Sequence, residues 1–512
     1  MKRSPACLAM LLIFAPAQAF AKPGATESDP AYWARKGEAA LAEARRLEPG
    51  GPTRARNVIL FVGDGMGITT VTAARILEGQ KRGGSGEDNL LAFERLPRVA
   101  FSRTYSASQQ TAESAATMSA MMTGVKTNDD NVGISAAVQP GNPSAEAVRA
   151  ASVPTLLELA EARGLSTGVV STTLLTHATP AACYAHTSSR YWQADSDLPA
   201  GATVADIASQ FVDRFGKGGI GDGIEVAMSG GRSRFIPREL EDPRIAGARG
   251  LRADGRNLIA EWQRKTGGEV VYDLAGFEAI DPTKTQRLLG LFALDEMDYE
   301  LDRASGPTGQ PSLAQMTGKA IDMLSRNRRG YFLMVEAGRI DHAHHAGNAH
   351  RALADTIALS DAVRTALERV DLSRTLVIVT ADHSHAFVMG GYPKRGNPIL
   401  GKVVERNRSE AALADDGLPY TTLGYLNGPG FHVDGGGDAV YGKPVRGGRA
   451  PEIAEADTTH PDFHQEALVP LESETHGGED VPVYAGGPGS QFVHGVQQQS
   501  YIFYVMKAAL RL

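Results

Sequence analysis

Short, largely apolar runs recur along the chain at Val58-Ile-Leu-Phe-Val62, Ser166-Thr-Gly-Val-Val-Ser171, Tyr331-Phe-Leu-Met-Val335 and Leu376-Val-Ile-Val-Thr380. Stretches of helical period separate them, among them residues 153–163 and 353–370. Runs this short, with no polar face, predict strands buried on both sides. Their alternation with helices predicts an α/β fold with a large, mostly parallel central β-sheet flanked by helices on both faces. An amphipathic helix is expected over 32–47, where Trp33, Ala40, Leu41, Ala44 and Leu47 recur at helical spacing ahead of Pro49-Gly-Gly-Pro52. Its pattern favours packing on its own domain over a subunit-contact arm. Over 389–461 the chain turns to Gly, Pro and polar residues, including Asn427-Gly-Pro-Gly-Phe431 and Val433-Asp-Gly-Gly-Gly-Asp438. Ile399, Leu400, Tyr420, Leu423 and Tyr425 recur through it, which predicts an ordered surface insertion rather than a disordered linker.

The first residues add a destination. Met1-Lys2-Arg3, an apolar stretch over 6–15 and the small-residue sites Ala17-Gln-Ala19 or Ala19-Phe-Ala21 have the three parts of a secretory signal peptide. A leader over 1–21 and a catalytic domain over 22–512, including the 389–461 insertion, are therefore expected, with export to the periplasm or beyond. The apolar stretch falls far short of the ~20 residues that span a bilayer, so no membrane span is expected in the mature chain. The only cysteines are Cys7 and Cys183, and loss of Cys7 with the leader leaves no internal disulfide. Cys7 opens the apolar run instead of following it, which argues against a lipid there. A core can carry stability unaided, since 512 residues with 42% hydrophobic content supply one. The net charge of -7 gives no general attraction for nucleic acid or anionic membranes, so a phosphate-bearing substrate needs local positive charge.

Four segments offer that charge through metal ligation. They are Asp382-His383-Ser384-His385, Val62-Gly63-Asp64-Gly65-Met66-Gly67, Glu336-Ala-Gly-Arg-Ile-Asp341-His342-Ala-His344-His345 and Glu474-Thr-His476-Gly-Gly. Carboxylate with imidazole suits zinc, and carboxylate with hydroxyl suits magnesium, so ligands exist for two or three ions. Alone, a pair such as Asp382-His383 reads more readily as a solvated loop, and only the coincidence of clusters reverses that. Asp64, Glu336 and Asp382, however, each sit at or just past the carboxyl end of a predicted strand, where parallel sheets gather their ligands. Asp341 and His345 are four apart and share a helix face, and His476 can join them from a distant loop. Asp382 and His383 can meet one ion only if the chain turns there. His177, His342, His344 and His385 exceed the ligand count and are expected in supporting or ordinary polar roles. Ser114 can open a helix, where a serine ordinarily serves as a cap. Beside a zinc ion its hydroxyl could instead ionise to a nucleophile, with the helix N–H groups receiving an anion.

With these segments in hand, the chain resembles the alkaline phosphatases, and among them the animal-type branch. The resemblance runs through Asn57-Val-Ile-Leu-Phe-Val-Gly-Asp-Gly-Met-Gly, Thr72-Ala-Ala-Arg-Ile-Leu, Glu113-Ser-Ala-Ala-Thr, His177-Ala-Thr-Pro-Ala, Gly290-Leu-Phe and the four segments above, to His494-Gly-Val. It implies one zinc on Asp341, His345 and His476, a second on Asp64, Asp382, His383 and ionised Ser114, and a magnesium on Asp64, Thr179 and Glu336. It also implies that Arg190 clamps two non-bridging phosphate oxygens, that Ser114 passes through a phosphoserine, and that Glu113, His177 and His342 support these groups. Broad phosphate monoester substrates follow from the resemblance, as does a homodimer using the 32–47 helix and part of the insertion. Two departures stand out. Glu113 replaces the family's usual Asp, and its extra methylene is expected to shift Arg190. Ala293 follows Leu291-Phe292 where animal-type members place a carboxylate for a structural calcium, so that calcium is not expected. A sulfatase would need x-Pro-x-Arg after its nucleophile, which Ser114-Ala-Ala-Thr-Met lacks. Arg190 favours monoesters over diesters, and Ser114 with Arg190 argues against a metal-binding protein without turnover.

Overall fold

The apolar runs fold into β1 (Asn57–Gly63), β2 (Arg98–Arg103), β3 (Ser166–Leu174), β4 (Val226–Gly230), β5 (Glu269–Val271), β6 (Leu288–Leu291), β7 (Tyr331–Ala337) and β8 (Thr375–Ala381). Short strands follow: β9 (Ser384–His385), β10 (Phe387–Met389), β11 (Leu423–Gly428), β12 (His432–Val433), β13 (Phe463–His464), β14 (Ala467–Pro470) and β15 (His476–Gly477). The main sheet is completed by β16 (Val481–Gly486) and β17 (Val496–Gln498), in the order β17-β2-β16-β8-β1-β7-β3-β4-β6-β5. From β8 across to β5 neighbours pair in parallel, whereas β16 runs against both β8 and β2. This computed structural model describes residues 27–512 apart from 49, 307–308, 431, 434–448 and 450. The expected leader over 1–21 and the glycine run beyond Val433 lie outside the described residues.

The central strands carry no polar face because both faces are covered. Leu60, Val62, Phe332, Met334 and Ile378 enter one core with Met118 and Met121 of helix Ser114–Thr123 and Phe503 and Met506 of helix Tyr501–Leu510. The alternate residues Ile59, Phe61, Leu333, Val335, Val377 and Val379 enter a second core with helices Leu313–Leu324 and Ala349–Arg369. Strand period 2 thus feeds two cores from one run. Truncating a buried ring such as Phe61 to Ala would cost about 3–5 kcal/mol.

Local chemistry sets the helix ends. The helix expected from 153 begins later, as Leu156–Ala162, because Thr155 and Glu158 form a reciprocal cap after Pro154. The one expected from 353 begins earlier, at Ala349, where Asn348 Oδ1 accepts from Arg351 N at 3.0 Å. Helix Pro30–Leu47 is capped by Asp29 and buries Trp33, Gly37, Leu41 and Ala44, while Leu47, expected inside, is 55% exposed. Gly37 takes the contact position because a Cβ there would lie 2.1 Å from the Tyr504 ring. The helix therefore packs on its own domain. Of the described residues in the insertion, Ile399, Leu400, Leu423 and Tyr425 join the second core. Cys183 is buried and free.

Candidate active site

The four central strands deliver their carboxyl ends to one place. β1 runs into Asp64, and Gly65 follows at φ +66 in the left-handed region, where a Cβ would also meet the His385 ring at 2.2 Å. β7 carries Glu336, and β8 is followed by Asp382 and His383; all four side chains are fully buried. The chain does turn after β8: Asp382 Oδ1 accepts from both His383 N (2.9 Å) and Gly65 N (3.0 Å), and the two adjacent side chains face one pocket.

Two tight groups of donor atoms result. On helix Arg339–His345, Asp341 Oδ1 lies 3.4 Å from His345 Nε2 and 3.3 Å from His476 Nε2, and the two imidazole nitrogens are 3.1 Å apart. The β9–β15 pairing places His476 there by setting it opposite His385. In the second group, His383 Nε2 is 3.3 Å from both Asp64 Oδ1 and Asp382 Oδ2, and Ser114 Oγ is 3.3 Å from Asp64 Oδ1 and 3.2 Å from His383 Nε2. Zinc held tetrahedrally by ligands at ~2.0–2.1 Å separates them by about 3.3 Å, so both groups have the right spacing. A third set joins Asp64, His177 and Glu336, and beside it Thr179 Oγ1 and Glu336 Oε1 are buried without a hydrogen bond. Such oxygens suit a hard cation.

Electrostatics point the same way. Burial, then Asp382, Asp341 and Glu336, push the Asp64 carboxyl well above its ordinary range. Burial lifts Glu336 to about 7, partly offset by Ser171. Asp341 goes the other way: burial opposes it, but His345, His385 and His476 hold its carboxyl well below the usual range. Carboxylates crowded this closely call for cations between them.

Ser114 opens helix Ser114–Thr123 but does not cap it. Glu113 does, accepting from Ala115 N at 2.8 Å through Oε2 and from Ala116 N at 2.9 Å through Oε1. The helix N–H groups expected to receive an anion are thus bonded to Glu113. The same carboxylate accepts from Arg190 Nη1, so the longer side chain reaches the arginine instead of leaving it loose. Burial raises Glu113, but Arg190 and backbone N–H groups bring it below its ordinary value. Arg190 Nη2 donates to His177 Nε2 at 2.9 Å, and burial with Arg190 lowers His177 to about 3, so it is a neutral acceptor. His342 meets His177 edge to face at 5.6 Å and Arg339 Nη1 at 2.8 Å.

The alkaline phosphatase family model matches residues 55–512. The chain belongs to the alkaline phosphatase family. It is 40% identical over 493 residues to the tissue-nonspecific alkaline phosphatase of Gallus gallus, covering 94% of this chain and 90% of that one. Identity is also 40% to the alkaline phosphatase of Gadus morhua, over 94% and 97% of the two chains. This is the animal-type branch. Among solved structures, alkaline phosphatase from Thermus thermophilus is similar at TM-score 0.62 and 26% identity, over 90% and 93% of the chains. The enzyme of the Antarctic bacterium TAB5 shares the fold at TM-score 0.59 and 20% identity, over 90% and 99%.

As an alkaline phosphatase, the protein is a phosphomonoester hydrolase, and its grouped carboxylates and imidazoles are candidate metal ligands. Sequence reasoning missed part of its framework. Ser171 and Thr173 of β3 both donate to Glu336 Oε2, the latter at 3.1 Å. Glu474 accepts from His385 Nδ1 at 2.6 Å, while His385 Nε2 meets Asp341 at 2.9 Å. His344 points away, bonded to Thr70 Oγ1 (3.0 Å) and the Tyr425 hydroxyl (2.8 Å). At the position of the family's calcium carboxylate, Ala293 is buried and its carbonyl accepts from Arg232 N at 3.1 Å.

Proposed function

We propose that this alkaline phosphatase hydrolyses a broad range of phosphate monoesters through a phosphoserine on Ser114, with two zinc ions and one magnesium ion. The observation that carries this reading is the spacing of Ser114 Oγ, 3.3 Å from Asp64 Oδ1 and 3.2 Å from His383 Nε2. This spacing supports a ligand set in which the hydroxyl joins Asp64, Asp382 and His383. Asp341, His345 and His476 would hold one zinc, Asp64, Asp382 and His383 with Ser114 the other, and Asp64, Thr179 and Glu336 the magnesium. Bound there, such ions supply Lewis acidity that lowers the pKa of a coordinated hydroxyl and neutralises charge on oxygen.

The chain's own residues do the rest. Ser114 Oγ forms the bond to phosphorus as the ester oxygen leaves, and water then breaks the serine ester in a second displacement, so configuration at phosphorus is retained. Arg190, held by Glu113 and His177, presents its planar fork to two non-bridging oxygens. His385 and Glu474 fix Asp341, and Ser171 and Thr173 fix Glu336. Trapping labelled phosphate at acidic pH and mapping the modified peptide tests the reading: label on Ser114 is expected, and label elsewhere overturns it.

Export follows the leader pattern, and among the described residues no helix is long and apolar enough to cross a membrane. A homodimer through the 32–47 helix and part of the insertion is supported by exposed Leu47, Tyr392, Leu413 and Leu426. Sedimentation of the mature protein tests it, a monomer at micromolar concentration being the contrary result.

A further inference from the structure

Six arginines collect at the amino ends of the four central strands. Arg54 and Arg56 precede β1, Arg163 precedes β3, Arg328 and Arg329 precede β7, and Arg374 precedes β8. The order β8-β1-β7-β3 sets these loops side by side, and the six side chains line one open cavity of about 510 Å³ together with Leu165 and Leu510. Arg56 is half-buried and the other five are exposed, whereas the buried Arg232 and Arg252 pair with Asp242 and Asp206. Around this cavity the one ion pair among the described residues is loose, Arg374 Nε to Asp371 Oδ2 at 3.6 Å between two exposed side chains. Arg56 donates to Asn327 O at 2.9 Å. The chain carries -7 overall, so the concentration is local.

Guanidinium groups gathered around one concave surface raise the local positive potential and favour an anion that can engage several of them. The cavity falls within the roughly 300–1,000 Å³ range of small-molecule sites and is far larger than one phosphate needs. A flat lipid surface would not reach into a concave site, whereas a short linear anion can engage several forks at once. We propose that this cavity is a second anion site that binds a linear oligophosphate of three or more phosphoryl groups. It lies at the opposite end of the strands that carry Asp64, Glu336 and Asp382. At ~3.3 Å per residue over seven residues, the two ends are about 20 Å apart, so one phosphoryl group cannot occupy both.

The probe is the bismethylene analogue of triphosphate, whose P–C–P links resist hydrolysis, with zinc and magnesium in excess. Equilibrium dialysis is run on the wild-type holoenzyme, on the R163S/R328S/R329S variant and on the same three positions changed to Lys. The wild type is expected to bind one more analogue per chain than the Ser variant, and that binding should weaken about tenfold or more as salt is raised towards ~1 M. The Lys variant should retain it at reduced affinity, with aryl phosphate hydrolysis within about twofold in all three proteins. Equal stoichiometry in wild type and Ser variant overturns the proposal. So does capture of phosphatidylglycerol vesicles that the Ser substitutions abolish while analogue binding is unchanged, because the face would then belong to a membrane.

Discussion

Arg190 is bonded through Nη1 to Glu113 Oε2, the oxygen that also accepts from Ala115 N, so one carboxylate caps the helix of Ser114 and aims the arginine. Shortening that arm by Glu113→Asp should strain one contact or the other. Inhibition by inorganic phosphate is expected to weaken a few-fold, about 1 kcal/mol. Phosphate inhibition constants for the two proteins check this, and an equal or tighter constant in Glu113→Asp would show that Glu113 does not set the arginine.

Arg190→Ala removes the fork itself. For monoesters kcat/KM should fall by on the order of ten- to a thousand-fold, each factor of ten being ~1.4 kcal/mol. Diesters, with one of the two oxygens esterified, should lose much less. Parallel assays on an aryl monoester and its methyl diester decide between a phosphate grip and a general loss of structure.

Two neighbouring histidines should behave differently. His385→Ala frees both Asp341 and Glu474, so zinc content and activity should drop together. His344→Ala leaves the Tyr425 hydroxyl and Thr70 without their partner, lowering stability by about 1–3 kcal/mol with kcat/KM nearly unchanged. Metal analysis beside thermal unfolding of each variant separates the two outcomes.

Chelation should abolish phosphomonoesterase activity, and zinc with magnesium should restore it, since the grouped carboxylates have no other evident shared purpose. Full activity in a preparation shown to be metal-free would remove the metal assignment.

Alkaline conditions strain a site far from the chemistry. Burial, then Glu225, raises the Glu161 carboxyl to about 9, while Thr167 Oγ1 donates to it at 2.5 Å. Because the folded pKa is above that of the unfolded chain, the unfolded state loses its proton first. Stability from this group is full at acid pH and falls steadily from about pH 4.5 to about 9. Glu161→Gln lacks that slope, so its advantage in urea midpoint should widen over this interval and level off above it. Parallel pH profiles of the two proteins would refute the shift.

The strands and the ligand segments were legible because each is written locally: an apolar run of strand length, then a carboxylate at its end. What escaped was written across the sheet. Ser171 and Thr173 look like ordinary strand hydroxyls until β3 is set beside β7, which pairs Ser171 with Glu336. A polar cluster, Ser171-Thr172-Thr173, closing an apolar strand was the one available hint. Gly37 was invisible to a hydrophobicity pattern, since its contribution is the room it leaves for Tyr504. The arginines before four strands were equally unremarkable singly; only strand order makes them neighbours.

The two-residue ladder between β9 and β15 pins His476 against His385 however far apart the chain sets them. It works as a clasp at the neck of a long excursion through the 389–461 region. Closing a longer excursion costs only about 0.6 kcal/mol per doubling of length, so descendants of this sequence can lengthen or trim its exposed turns, away from the core positions Ile399, Leu400, Leu423 and Tyr425, while the histidine at the neck keeps its station.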